Sequence, residues 1–172
     1  MTTTSKSNLN DGWNVEVAQG LIEEQLGLKG PMLPILNALQ EKFGYVDDAA
    51  IPLIAEALNL SRAEVVGVVH FYHDYRHAPP GRHILKVCRA ESCQSMGCDA
   101  LVGHIESSVG AAMGETSGDG AVSLESVYCL GNCALSPAVM LDGRLYGRVS
   151  PARIDGLLSD ARESDADQGG AR

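Results

Sequence analysis

The chain has 172 residues, of which 45% are hydrophobic, and this composition is typical of a globular protein with one or two small domains. Its net charge of −9 argues against a nucleic-acid partner, because phosphates need a basic protein surface. No apolar run is long enough to cross a bilayer, and residues 1–12 lack the apolar segment of a secretory signal. We therefore predict a cytoplasmic protein without direct membrane insertion, in which residues 1–12 form a disordered arm.

Residues 13–78 are predicted to form a small helical domain. Apolar side chains recur at helical spacing in four successive stretches of this segment. The second stretch begins just after Pro31 and ends at Gly44, and Ser61 and Glu64 form a capping-box pattern that opens the fourth. Four short helices can bury their apolar faces against one another, although their common core would be small.

Residues 82–159 show a different pattern, in which strands and helices are mixed. Pro79, Pro80 and Gly81 mark the boundary as a stiff linker. The predicted order is β-α-β-β-β-α, an α+β fold, with elements at residues 83–87, 94–109, 122–128, 138–141, 144–147 and from 151 onward. Asp142-Gly143 is a strong signal for a tight hairpin turn. The tail, residues 160–172, is rich in Asp, Glu, Ser and Gly, and we expect it to be disordered.

Four of the five cysteines form two close pairs, and each pair follows a predicted strand. The pairs are Cys88-x₄-Cys93 and Cys129-x₃-Cys133. Two strand-end loops that carry two thiols each can bring four sulfurs around one centre. In a reducing compartment, such thiols are more often metal ligands or redox groups than structural disulfides.

Three kinds of site are compatible with paired thiols. Soft thiolates select iron–sulfur clusters, zinc or Cu(I). The spacings fall within the range of zinc sites, but the thiols end two strands of a core that should fold without a metal. A [2Fe–2S] cluster is wider than a single ion and usually takes four cysteines, so the context favours it. Dithiol redox chemistry normally uses Cys-x-x-Cys, which this sequence lacks, and is disfavoured.

Cys98 follows Cys93 at the same x₄ spacing and needs its own interpretation. On the predicted helix it shares an apolar face with Leu101 and Ile105. We expect this face to be buried against the sheet, which would turn Cys98 away from the loop of Cys88 and Cys93. Cys98 is therefore interpreted as a small buried hydrophobic residue.

Further motifs accompany the cysteine pairs on both sides. They are Gly30-Pro31-Met32-Leu33-Pro34-Ile35-Leu36, Gly44-Tyr45-Val46, Phe71-Tyr72, Leu130-Gly131 within the second pair, and Ser136-Pro137-Ala138-Val139. Over about residues 27–158 the chain resembles the small thioredoxin-like [2Fe–2S] subunit of NADH:quinone oxidoreductase (complex I). The same module occurs in NAD-reducing hydrogenases and NAD-dependent formate dehydrogenases. Residues 88–97 are most similar to the gamma subunit of the NAD-dependent, molybdenum-containing formate dehydrogenase.

This resemblance implies a helical domain followed by a thioredoxin-like domain, with Cys88, Cys93, Cys129 and Cys133 as the ligands of one [2Fe–2S] cluster. It also implies docking on a flavoprotein subunit that binds FMN and NAD, beside further iron–sulfur and molybdenum catalytic subunits. No Gly-x-Gly-x-x-Gly fingerprint follows a strand here, so FMN and NAD are expected only on the partner. We expect a non-catalytic electron-transfer subunit of an oxidoreductase, with formate dehydrogenase favoured over complex I and hydrogenase.

Two hypotheses of another class remain at this point. One is a free-standing thioredoxin-like ferredoxin, although a soluble shuttle does not need the helical domain. The other is a zinc-stabilised interaction domain without a redox role. A histidine site is also considered, because His70, His73 and His77 lie at i, i+3 and i+7. It is disfavoured because the helix should end near Pro79.

Overall fold

The computed structural model describes residues 12–169, in which the chain divides into one unit that ends at Pro79 and another that begins at Pro80. The predicted arm lies outside the described residues, apart from Gly12. Within the described residues, no helix is both long and apolar enough to span a membrane. Each unit has its own hydrophobic core.

The N-terminal unit consists of four helices. They are α1 (Val15–Gln25), α2 (Met32–Phe43), α3 (Ala50–Leu58) and α4 (Arg62–Phe71). The predicted stop at Gly44 is confirmed, because Gly44 adopts φ 83° at the end of α2, a left-handed conformation that glycine tolerates. The predicted capping box at α4 is also confirmed, with Ser61 and Glu64 bonded to each other's backbone amides. Leu36, Leu39 and their neighbours are fully buried between the helices.

The C-terminal unit is a four-stranded sheet with helices. Its elements are β1 (His83–Cys88), α5 (Glu91–Ser95), α6 (Cys98–Val109), β2 (Val122–Val127), β3 (Val139–Leu141), β4 (Arg144–Tyr146) and α7 (Pro151–Gly169). The strand order is β2-β1-β3-β4. β1 and β2 are parallel, whereas β3 is antiparallel to both β1 and β4. The predicted α+β class is therefore confirmed.

Two local predictions about this unit have different outcomes. The Asp142-Gly143 turn between β3 and β4 is confirmed, with φ 49° and 79° at its two residues, as a type I′ hairpin requires. The single helix predicted over residues 94–109 is wrong, because the structure has two helices, α5 and α6. Gly97 separates them with φ 83°, which interrupts the helical backbone before Cys98.

The C-terminal helix is longer than predicted. Disorder was expected from residue 160, whereas α7 continues to Gly169, and residues 170–172 lie outside the described residues. The extension has partners, because Ala161 is buried in the core and the Asp165 carboxylate lies 2.7 Å from the Arg82 guanidinium. His83 Nε2 lies 3.2 Å from the other oxygen of Asp165. Asp165 thus belongs to a helix and makes specific ion pairs rather than lying in a disordered tail.

Candidate cysteine cluster site

The two cysteine-bearing loops leave the sheet side by side. β1 and β2 run parallel in register from His83 opposite Val122 to Cys88 opposite Val127. Their carboxyl ends therefore meet at one edge of the sheet, where the loops that follow them begin. The Arg89 amide donates to the Val127 carbonyl over 2.8 Å and ties the two strand ends together. Both predicted pairs of cysteines therefore lie at or just after the ends of these two strands.

The first pair of thiols is buried. Cys88 ends β1 and is 3% exposed, and Cys93 lies on α5 and is 2% exposed. Burial raises the pKa of the Cys88 thiol. Hydrogen bonds from the backbone amides of Ala90 and Leu130 stabilise the thiolate and offset part of this rise in pKa. Burial also raises the pKa of Cys93, but hydrogen bonds from the Ser136 hydroxyl, the Ala138 amide and the Cys88 thiol outweigh it and lower that pKa overall. The local donors thus favour thiolate at Cys93.

The second pair of thiols is exposed. Cys129 Sγ and Cys133 Sγ lie 4.0 Å apart, and both residues are open to solvent. Gly131, with φ 76°, folds the loop back so that its amide donates to Cys129 Sγ over 3.3 Å. The hydrogen bond with Cys129 and the charges of the neighbouring thiols raise the pKa of Cys133.

Two serines lie between the cysteine loops, and although both belong to segments that carry the family resemblance, sequence reasoning gave neither of them a role. Ser92 Oγ and Ser136 Oγ are 2.8 Å apart, and both lie within hydrogen-bond distance of the Cys133 carbonyl. Ser136 Oγ is also 3.6 Å from Cys93 Sγ. No spacing rule identifies such residues, because their relation to the sulfurs arises only when α5 and the second loop pack together.

The fifth cysteine is closer to the site than predicted. Cys98 is fully buried, as expected, but it packs in one cluster with Cys88, Cys93 and Ala138. The prediction that it turns away from that loop is therefore wrong. The physical reason is the break at Gly97, which gives Cys98 a position at the first turn of a new helix. Burial and then the charge of Asp99 raise the pKa of the Cys98 thiol, which suits a neutral packing residue.

The donor set fits a four-thiolate cluster. All five cysteines are free thiols. Within residues 12–169, no group of three or more His, Cys, Asp or Glu side chains is arranged to hold a single metal ion. The thiols occur instead as two pairs, and a [2Fe–2S] cluster takes two ligands on each iron. Backbone amides already point at the sulfurs of Cys88, Cys93 and Cys129, as the charged ligands of such a cluster require.

The three histidines considered as a metal site belong to the N-terminal unit. α4 ends at Phe71, so they do not share one helix face. The rings of His70 and His77 pack with centroids 4.6 Å apart, and His70 Nδ1 lies 3.0 Å from the Val66 carbonyl oxygen. Among residues 12–169, these histidines do not form part of any group of three or more side chains that could hold a metal ion.

The fold defines an α+β protein in which two pairs of free cysteines follow two neighbouring parallel strands. The chain belongs to the family of thioredoxin-like [2Fe-2S] ferredoxins, whose model matches residues 18–162. The predicted resemblance to this family is thus confirmed. The family assignment supports an iron–sulfur cluster as the group that this site holds.

Several relatives are similar along most of their length. A subunit of the NADH-quinone oxidoreductase from Pseudomonas aeruginosa is 40% identical over 123 residues, which are 72% of this chain and 74% of the relative. The HndA subunit of the NADP-reducing hydrogenase from Solidesulfovibrio fructosivorans is 30% identical over 145 residues, 84% of either chain. A subunit of the NADH-quinone oxidoreductase from Thermus thermophilus is 31% identical over 137 residues, 79% of this chain and 76% of the relative.

Solved structures agree on the fold. A chain of an NAD⁺-reducing [NiFe]-hydrogenase in the air-oxidized state superposes with a TM-score of 0.66 at 23% identity. The match covers 77% of this chain and 23% of the hydrogenase chain, so the shared fold accounts for about a quarter of the hydrogenase chain. At this identity the likeness establishes the fold alone.

Proposed function

We propose that this chain is an electron-transfer subunit that holds one [2Fe–2S] cluster on Cys88, Cys93, Cys129 and Cys133. The observation that carries the proposal is that the two thiol pairs follow neighbouring parallel strands, which end at the same edge of the sheet. When bound, such a cluster supplies reversible one-electron uptake. The sequence offers no constellation for hydride or acyl chemistry, so we assign it no catalytic residue.

The two pairs of cysteines would have different roles, because one pair is buried and the other is exposed. The buried pair, Cys88 and Cys93, anchors the site to the sheet and excludes water from one side. The exposed pair, Cys129 and Cys133, leaves the other side open to a docked partner. Amide donors from Leu130 and the other loop residues stabilise negative charge on the sulfurs and so favour acceptance of an electron.

The partner in this proposal is an FMN-containing, NAD-binding flavoprotein subunit. The relatives are named as subunits of NADH-quinone oxidoreductase and of an NADP-reducing hydrogenase, which supports a place in a nicotinamide-linked oxidoreductase complex. This sequence has no dinucleotide-binding fingerprint, so the flavin and the nicotinamide would both bind to the partner. Single electrons would then pass between the partner's flavin and this chain's site.

The parent complex that we propose is an NAD-dependent formate dehydrogenase with molybdenum and further iron–sulfur subunits. The proposal rests on the similarity of residues 88–97 to the gamma subunit of that enzyme. The same residues would serve equally well in a complex I or a hydrogenase, because the chemistry that separates these enzymes lies in other chains. The assay is therefore of the whole complex, with formate, hydrogen or NADH as the electron donor.

Affinity purification of the chain from its native cells under anaerobic conditions tests the partner and the parent complex together. We expect a flavoprotein at fixed stoichiometry, bound FMN, molybdenum, and NAD⁺ reduction that depends on formate. Cys129→Ala serves as the comparison, because it should abolish the cluster signal of this chain while leaving the complex assembled. A chain that elutes alone with iron would instead be a free-standing ferredoxin, and a colourless, zinc-containing chain would be an interaction domain.

A further inference from the structure

A pair of serine hydroxyls connects the two cysteine loops. Ser92 lies on α5 beside Cys93, and Ser136 follows the 3₁₀ turn Cys133–Leu135 of the second loop. Ser92 Oγ lies 3.1 Å and Ser136 Oγ 2.8 Å from the Cys133 carbonyl oxygen. Ser136 is 8% exposed, so its hydroxyl must find its partners within the protein. Through these contacts Ser136 reaches one residue of each thiol pair, Cys93 and Cys133.

The two hydroxyls have a limited number of protons to donate. Each carries one, and the acceptors within reach are the Cys133 carbonyl, the Cys93 sulfur and the oxygen of the other serine. While Cys93 is a thiol, its S–H can donate to Ser136 Oγ over 3.6 Å, and both serine protons are free for the carbonyl. A ligand thiolate has no proton and becomes an acceptor. Ser136 can then donate to Cys93 Sγ while Ser92 keeps the Cys133 carbonyl satisfied.

We propose that Ser136 is a positioning residue that donates a hydrogen bond to the Cys93 sulfur of the cluster-loaded protein and raises the reduction potential of the cluster. The Ser136 proton is available for this bond because Ser92 donates to the Cys133 carbonyl in its place. The inference rests on the proposed ligand set. A donor to a ligand sulfur stabilises the reduced site, which carries one more negative charge than the oxidised site. Removing the donor should therefore make the site harder to reduce.

The test is an EPR-monitored redox titration of the full chain with its cluster, with iron content measured on the same samples. In Ser136→Ala, we expect the ratio of reduced to oxidised protein at a fixed potential to fall about three- to tenfold, where tenfold equals about 59 mV. Ser136→Thr keeps the hydroxyl and should restore most of the ratio. Ser95→Ala is the matched control, because Ser95 Oγ donates to the Ser92 carbonyl, over 2.9 Å, and should leave the ratio unchanged.

The outcomes separate this inference from the proposed function. A Ser136→Ala protein with full iron content and the wild-type potential would overturn the inference. If Ser136→Ala does not retain iron, the Ser92→Ala variant provides the test. Without the Ser92 hydroxyl, the Cys133 carbonyl would compete for the Ser136 proton, and the reduction potential of the Ser92→Ala cluster should fall. A wild-type potential in that variant would also overturn the inference. A wild-type chain that binds no iron would contradict the proposed function itself.

Discussion

Replacing Gly147 by alanine tests how tightly the loop with the exposed thiol pair is packed. A Cβ at residue 147 would lie 2.6 Å from both Asn132 Nδ2 and Leu135 Cβ, and 2.8 Å from the Leu135 carbonyl oxygen. The Asn132 amide is the end of a flexible side chain and can rotate away. Leu135 cannot, because it belongs to the 3₁₀ turn that starts at Cys133, and its carbonyl accepts the Arg148 amide over 2.6 Å.

The size of the effect follows from these contacts. Carbon atoms in ordinary contact lie about 3.5 Å apart, so the turn must move by roughly 0.9 Å. Overpacking of this kind costs about 1–3 kcal/mol, and loss of the Leu135–Arg148 hydrogen bond adds about 1 kcal/mol. We expect Gly147→Ala to lower the unfolding free energy of the C-terminal unit by about 2–4 kcal/mol. The displaced turn should also loosen residues 129–135.

Urea unfolding, followed by far-UV circular dichroism, measures the free energy, and hydrogen-exchange mass spectrometry reports on residues 129–135. Gly156→Ala is the matched control, because Gly156 lies within α7 and a Cβ there meets no atom within 4 Å. Alanine at that helical position should be neutral or stabilising by up to about 1 kcal/mol. A Gly147→Ala protein with both the wild-type unfolding free energy and the wild-type exchange of the loop would refute the tight packing of this turn.

Three further predictions address the fifth cysteine, the C-terminal helix and the helical core. Cys98→Ala should keep the full visible absorption, whereas Cys93→Ala should bleach it; iron loss from the Cys98 variant would make Cys98 a ligand. The hydrogen bond from Arg82, opposed by burial, holds the pKa of Asp165 below its ordinary value, so its stabilisation is present above that value and is lost as pH falls through the folded pKa. Asp165→Asn should therefore cost about 0.5–1 kcal/mol at pH 7 and almost nothing at strongly acid pH, as measured by urea unfolding; an equal cost at both would contradict the ion pair. Leu39→Ala should lower the unfolding free energy by about 2–5 kcal/mol, as measured by the fluorescence of the single tryptophan, which packs against the same core. A loss below about 1 kcal/mol would contradict the full burial of Leu39.

Local sequence signals predicted much of the fold. The stop at Gly44, the Ser61 capping box and the Asp142-Gly143 hairpin were correct, because each depends on the chemistry of a few adjacent residues. The position of each cysteine pair just after a strand was also predicted, because the strand patterns end directly before Cys88 and Cys129. The family resemblance relied on the same cysteine motifs.

Other features depend on packing that no local pattern contains. Cys98 shares the helical spacing of its apolar neighbours, but the break at Gly97 changes which cluster it joins. The Ser92–Ser136 contact joins residues 44 positions apart, and the sequence of the segments that contain them does not show that the two hydroxyls meet. The end of α7 was missed because its acidic composition indicates disorder, whereas Arg82, the partner of Asp165, is brought alongside only by the fold.

The most direct test of the electron-transfer role is an iron and acid-labile sulfide assay of the anaerobically purified chain, combined with EPR after dithionite reduction. We expect two irons and two sulfides per chain, visible absorption, and a low-temperature S = 1/2 signal. A colourless chain that contains zinc, and that takes up no cluster on reconstitution with iron and sulfide, would contradict this role.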